Sequence, residues 1–125
     1  MKVTHLIPML ASENLKQTIE FYTKLLGFEC RGFYPDEENM CWASLWNGEV
    51  EIAFNLPNDH TKFEKSVLTG SIYLQVENVE KLWEELQDKV EIVYPLEAFN
   101  YGMREFGILD CNGYLLNIGE DILGK

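Results

Sequence analysis

The side chains that could do chemistry are few and scattered. The histidines are His5 and His60, and the thiols are Cys30, Cys41 and Cys111. No cysteine sits near a histidine in sequence, so a thiolate paired with a base has little support. The cysteine spacing fits neither a C-x-x-C metal pair nor a disulfide framework, which makes a reducing cytoplasm the default location. His60 follows Pro57-Asn58-Asp59 in a polar turn and reads as solvated surface. Stackable surface is more plentiful. Phe33, Trp42, Trp46, Phe54, Phe99, Tyr101 and Phe106 all fall on expected strands or the loops beside them. Rings of this kind fill cores everywhere and also build binding walls. Trp42, Ser44 and Trp46 share one strand face, and Cys41, Ala43 and Leu45 share the other. The first, polar-tipped set is the better candidate wall, because such a wall needs stacking area with a few polar handles. Glu51 reads equally as a polar contact in a pocket or as an ordinary exposed strand carboxylate. Arg104 and Glu105 read first as a local structural pair.

These residues are carried by a pattern that occurs twice. A strand over residues 4–11 leads into a helix with Leu15, Ile19, Tyr22 and Leu26 on one face. Ser12 or Asn14 can cap its start, and Gly27 closes it. Three strands follow, over residues 28–34, 40–46 and 50–55, the last two joined by the hairpin signal Asn47-Gly48. Residues 56–70 have no clear period and read as a linker with a short helical turn around Phe63. The order then repeats: a strand over 71–76, a helix over 79–90, and strands over 91–94, 103–109 and 114–119. Asn14 and Asn78 stand as far apart as Asn47-Gly48 and Asn112-Gly113, to within one residue. Two βαβββ modules in one α+β domain over 1–125 are expected (module one about 1–56, linker 57–69, module two 70–125), with a curved mixed sheet around a cleft. Pro8 breaks the first strand and places it at a sheet edge.

Pro8-Met9-Leu10, Ser12-Glu13-Asn14-Leu15 and the run Phe21-Tyr22-Thr23-Lys24-Leu25-Leu26-Gly27-Phe28-Glu29 resemble the vicinal oxygen chelate superfamily of glyoxalases, extradiol dioxygenases and bleomycin-resistance proteins. Tyr101-Gly102-Met103-Arg104-Glu105-Phe106 and Asp110-Cys111-Asn112-Gly113-Tyr114-Leu115-Leu116 are similar to a segment of the bleomycin-resistance branch. Catalytic members hold a divalent metal with four side chains. The resemblance assigns those slots to Ile7, Glu51, Ser71 and Asn117, of which only Glu51 is a good ligand. His5 lies two residues from the first slot, about 7 Å along an extended strand, too far for a metal bond. No metal, no cofactor and no catalytic residue are therefore expected. In the bleomycin-resistance branch an aromatic residue before the glycine matching Gly102 stacks on a flat drug, and Tyr101 takes that place. The same branch implies a homodimer, with Pro8 accompanying exchange of the N-terminal arm.

The composition, 46% hydrophobic and 25% charged, is that of an ordinary globular protein. A net charge of −11 disfavours nucleic acid and anionic membranes and favours cations. The resulting expectation is a metal-free protein that sequesters a flat cationic small molecule, bleomycin-like compounds included. Its ligand-binding residues would be Phe33, Trp42, Ser44, Glu51, Phe54, Phe99, Tyr101 and Gly102. The alternatives are a metal-dependent lyase, isomerase or dioxygenase, using Glu51 or a metal recruited by His5, Glu120 and Glu51, and a metabolite-binding module of another role.

Overall fold

The computed structural model describes residues 1–60 and 63–124. The chain divides into two compact units, Met1–Ser66 and Val67–Lys125. Each is one βαβββ module. The first runs β1 (Met9–Ala11), α1 (Leu15–Leu26), β2 (Glu29–Tyr34), β3 (Trp42–Asn47) and β4 (Val50–Asn55). The second runs β5 (Ile72–Gln75), α2 (Val79–Leu86), β6 (Glu91–Ala98), β7 (Met103–Leu109) and β8 (Leu115–Asp121). Each forms a four-stranded mixed sheet with the same plan, β1-β4-β3-β2 and β5-β8-β7-β6. The first strand of each module pairs parallel to the last, and the remaining pairs are antiparallel.

In module one, α1 starts where the sequence places its cap. Asn14 accepts from the Gln17 amide at 3.0 Å, and Gly27 closes the helix at φ +73°. The helix buries Leu15, Thr18 and Tyr22. The Tyr22 ring meets Phe54 at 5.1 Å and Phe28 at 5.5 Å between centroids. Ladder register fixes which residues share that side. Phe54 stands opposite Ala43, and Ile52 opposite Leu45; all four are fully or almost fully buried. Trp42, Ser44, Trp46 and Glu51 belong to the other face. β1 is shorter than expected. Residues 1–8 lie outside the strand, and the Pro8 carbonyl accepts from the Ala53 amide as the chain enters the sheet edge.

Module two repeats the architecture with different local solutions. α2 ends at Leu86 rather than at residue 90, closing in turns through Lys89. Asn78, the counterpart of the Asn14 cap, is left-handed at φ +57° and its side chain caps nothing. Glu120 on β8 takes over, its carboxylate accepting from the Asn78 and Val79 amides at 3.2 and 3.1 Å. That charge suits a helix N-terminus, which has unpaired amides and a positive dipole end. β6 runs four residues further than expected, through Pro95. It is an edge strand, so a residue without an N–H is tolerated there. The core side packs Trp83 of α2 on Phe106 at 5.1 Å, with Leu86, Ile108, Leu116 and Ile118 buried nearby in the fold. The helical turn expected around Phe63 is not formed over residues 63–70, which carry bends, and Thr61 and Lys62 lie outside the described residues. Among the described residues no helix is long and apolar enough to cross a membrane.

Phe54→Ala is expected to cost about 3–5 kcal/mol, as loss of a buried ring does. Glu120→Ala should cost about 0.5–2 kcal/mol as a lost helix cap. Urea denaturation of both variants checks the ranking. A near-neutral Phe54→Ala would contradict its placement against α1.

Candidate functional site

Each module carries a hydrogen-bonded polar cluster on the sheet face turned away from its helix. In module one the centre is Glu51 on β4, which is 8% exposed. Ser44 Oγ on β3 donates to Glu51 Oε2 at 2.5 Å, and Trp46 Nε1 donates to Ser44 Oγ at 2.8 Å. His5 Nε2 donates to Glu51 Oε1 at 2.9 Å, and its ring stacks on Trp46 at 5.6 Å with 7° between planes. The Arg31 guanidinium also lies over Trp46, 5.2 Å from the ring centre. Glu51 is therefore a buried polar centre and not an exposed strand carboxylate. The sequence pattern predicts an extended strand through residues 4–8. That segment is not strand, and it folds the imidazole onto the carboxylate.

Trp42 and Ser44 do share the Glu51 face, as alternation suggests. Phe33 and Phe54 do not. Phe33 stands opposite Ala43 on the helix side and is 45% exposed, while Phe54 is wholly buried against Tyr22. Glu51 and Phe54 are three apart on one strand, so no flat strand could present both to one ligand. Phe54 is a core residue.

Module two holds the denser cluster. Glu105 on β7 is 4% exposed and receives three phenol hydroxyls. Tyr73 of β5 and Tyr101 of the β6–β7 loop donate to Oε1 at 2.9 and 2.7 Å, and Tyr94 of β6 donates to Oε2 at 2.5 Å. Asn117 on β8 donates through Nδ2 to Tyr94 Oη at 2.8 Å. Register brings these together: Tyr73 and Gly107 both flank Asn117, Tyr94 stands opposite Gly107, and Glu105 opposite Gly119. The two strand glycines make room. A Cβ on Gly107 would overlap the Tyr94 ring, and one on Gly119 would overlap the Tyr73 hydroxyl. Phe99 stacks on Tyr101 at 5.4 Å with 12° between planes, and meets Tyr94 edge-on at 6.0 Å. Gly102 serves this loop by its backbone. It is left-handed at φ +91°, and a Cβ there would overlap Leu123.

Arg104 is no partner of Glu105. It lies on the helix side and pairs with Glu80 of α2. Among the described residues no cation reaches Glu105. Burial pushes its carboxyl up, but the three phenol bonds outweigh that and hold it below the ordinary value of 4.5. The tyrosines shift the other way. Burial and then the Glu105 bond raise Tyr73 well above the usual phenol range and Tyr94 to about 12. Tyr101 rises to about 12 mainly through its bond to Glu105. Such phenols are poor acids and such a carboxylate a poor base, so at neutral pH the cluster is a fixed hydrogen-bonding surface. Burial likewise raises the Cys30 thiol.

The donor set does not suit the divalent metal of the catalytic relatives. Ile7 has no donor atom, and both Glu51 oxygens are engaged by His5 and Ser44. In module two, Ser71 is exposed ahead of β5, and Asn117 offers a neutral amide, a weaker ligand than a carboxylate, with one amide hydrogen given to Tyr94. Glu120 is committed to the α2 amides. Among the described residues no three His, Cys, Asp or Glu side chains converge as a metal group.

Linkage gives the cluster a pH window. The contribution of Glu105 is present above pH 4.5 and lost as pH falls through its lowered folded-state value. The contribution of Tyr94 and Tyr101 is present below their unfolded value of 10 and lost as pH rises through about 12. The melting-temperature difference between the wild type and Glu105→Gln should therefore be flat from about pH 5 to 9 and close at both extremes. A difference that does not depend on pH would contradict the assignment.

A family model for the glyoxalase/bleomycin resistance protein/dioxygenase superfamily matches residues 2–118. Solved structures share the fold at low identity. TioX from Micromonospora sp. ML1 is 16% identical, with 95% of this chain and 99% of that chain covered at a TM-score of 0.78. A protein of unknown function from Agrobacterium tumefaciens str. C58 is 17% identical, with 97% and 96% covered at 0.79. A glyoxalase-related enzyme from Clostridium phytofermentans is 14% identical, with 98% of each chain covered at 0.73. Among curated proteins none matches the chain. The twice-repeated βαβββ plan and the match over residues 2–118 agree, and the chain belongs to the glyoxalase/bleomycin resistance protein/dioxygenase superfamily.

Proposed function

We propose that the protein is a metal-independent binder of a flat, cationic small molecule, of the kind the bleomycin-resistance branch sequesters. The observation that carries this reading is Glu105, a buried carboxylate with three phenol hydroxyls and, among the described residues, no cation. A buried charge of this kind leaves the surface above it negative, and the net charge of −11 acts in the same direction. Phe99, Tyr101 and Tyr94 supply ring faces beside it, and cations are drawn to such faces. Tyr101 is 57% exposed and available for stacking. Among the described residues metal chemistry has no matching donor set, and the shifted groups around Glu105 are poor proton-transfer agents at neutral pH. Binding, rather than turnover, is what these residues suit. A homodimer, which the resemblance to that branch implies, is part of the proposal.

Isothermal titration with bleomycin tests the reading. Saturable binding in the micromolar range is expected. Tyr101→Ala should weaken it about five- to tenfold, since one stacked ring contributes about 1–1.5 kcal/mol. No saturable heat up to high micromolar ligand would remove it.

A further inference from the structure

A phenol has one hydrogen to give. Tyr73, Tyr94 and Tyr101 each give theirs to Glu105, and Asn117 gives an amide hydrogen to Tyr94. With those hydrogens committed within the cluster, what Tyr73 Oη, Tyr101 Oη and Asn117 Oδ1 have left to offer is acceptor capacity. Tyr73 and Tyr101 are both exposed, at 45% and 57%. A hydroxyl that donates to a carboxylate is polarised and accepts more strongly. The charge of Glu105 is thus passed to the surface through phenol oxygens, although the carboxylate itself is buried. Glu97, opposite Glu105 on β6 and exposed, adds a second negative charge. The ring surfaces set a shape as well. Tyr94 lies against Gly107, whose missing Cβ makes room for the ring, and Phe99 stacks with Tyr101.

We propose that this cluster recognises a planar cation with N–H donors, an amidinium or guanidinium group, and rejects both anions and cations that lack N–H. The proposal rests on the module-two cluster being the ligand site. Several acceptors around one negative centre match a fork of N–H donors, and a flat delocalised cation can stack while it donates. A quaternary ammonium would gain the cation–π contact alone.

Calorimetric titrations with four probes of one size test it: benzamidinium, phenyltrimethylammonium, benzamide and benzoate. On the wild type, benzamidinium should bind at least about tenfold tighter than phenyltrimethylammonium or benzamide, with benzoate showing no binding. Glu105→Gln puts an amide donor among the phenols and should shrink that preference to within about threefold. Should that variant not fold, Tyr73→Phe keeps the ring and removes one hydroxyl, and should weaken benzamidinium alone. Glu49→Gln, an exposed position of module one outside both clusters, should leave the ranking unchanged. Phenyltrimethylammonium binding as tightly as benzamidinium would overturn the proposal, as would a preference that survives Glu105→Gln or is lost in Glu49→Gln. Saturable bleomycin binding without an amidinium preference overturns this proposal and leaves the binding function standing. Failure of bleomycin and all four probes overturns both.

Discussion

A carboxylate taken out of water with no counter-ion keeps its charge only where hydrogen bonds replace the hydration it gave up. Glu105 meets that condition with three phenols drawn from β5, β6 and the loop before β7. Much of module two is arranged around it. Gly107 and Gly119 are side-chain-free so that Tyr94 and Tyr73 can lie over the sheet, and Gly102 turns the loop that delivers Tyr101. Asn117 orients Tyr94 from the neighbouring strand. Arg104, the obvious counter-ion by sequence, faces the helix and binds Glu80. The site is held by hydrogen bonds between strands that are distant in sequence, and not by a local ion pair.

The same sheet plan serves the first module with a different chemical filling. There the buried carboxylate is Glu51, reached by Ser44 and His5 and overlaid by the Trp46 indole. The resemblance to metal-using members assigns four ligand positions, which here carry Ile7, Glu51, Ser71 and Asn117. Ile7 offers no donor, Glu51 binds neighbouring side chains, and Asn117 supports a tyrosine. Duplication of one βαβββ unit supplies equivalent sheet faces, and the side chains on those faces decide between metal chemistry and recognition.

Much of the fold was legible because its punctuation is local. Asn14, Gly27 and the two Asn-Gly turns act within a few residues and mark both modules. Pro8 and Pro95 both sit at sheet edges, where a missing N–H does no harm. The α2 cap was not legible, because Glu120 reaches it from the last strand. Nor was the tyrosine cluster, which depends on the register of four strands. Two signals did exist. Gly107 and Gly119 are glycines inside strands, which mark places where another group approaches closely. Alternation also separates Phe54 from Glu51 on β4 without any structure. The place of His5 was not legible, because residues 1–8 lie outside β1 and bring the imidazole onto Glu51.

The central claim is that three phenol hydroxyls are held on one buried carboxylate. Proton NMR of protein labelled at the tyrosine Cζ reads this directly, because hydroxyl protons in strong, protected hydrogen bonds exchange slowly enough to be seen. The expected result is three hydroxyl resonances, from Tyr73, Tyr94 and Tyr101, with Tyr94 furthest downfield and all three altered by Glu105→Gln. Hydroxyls that exchange too fast to observe, or that are unaffected by that substitution, would contradict the account.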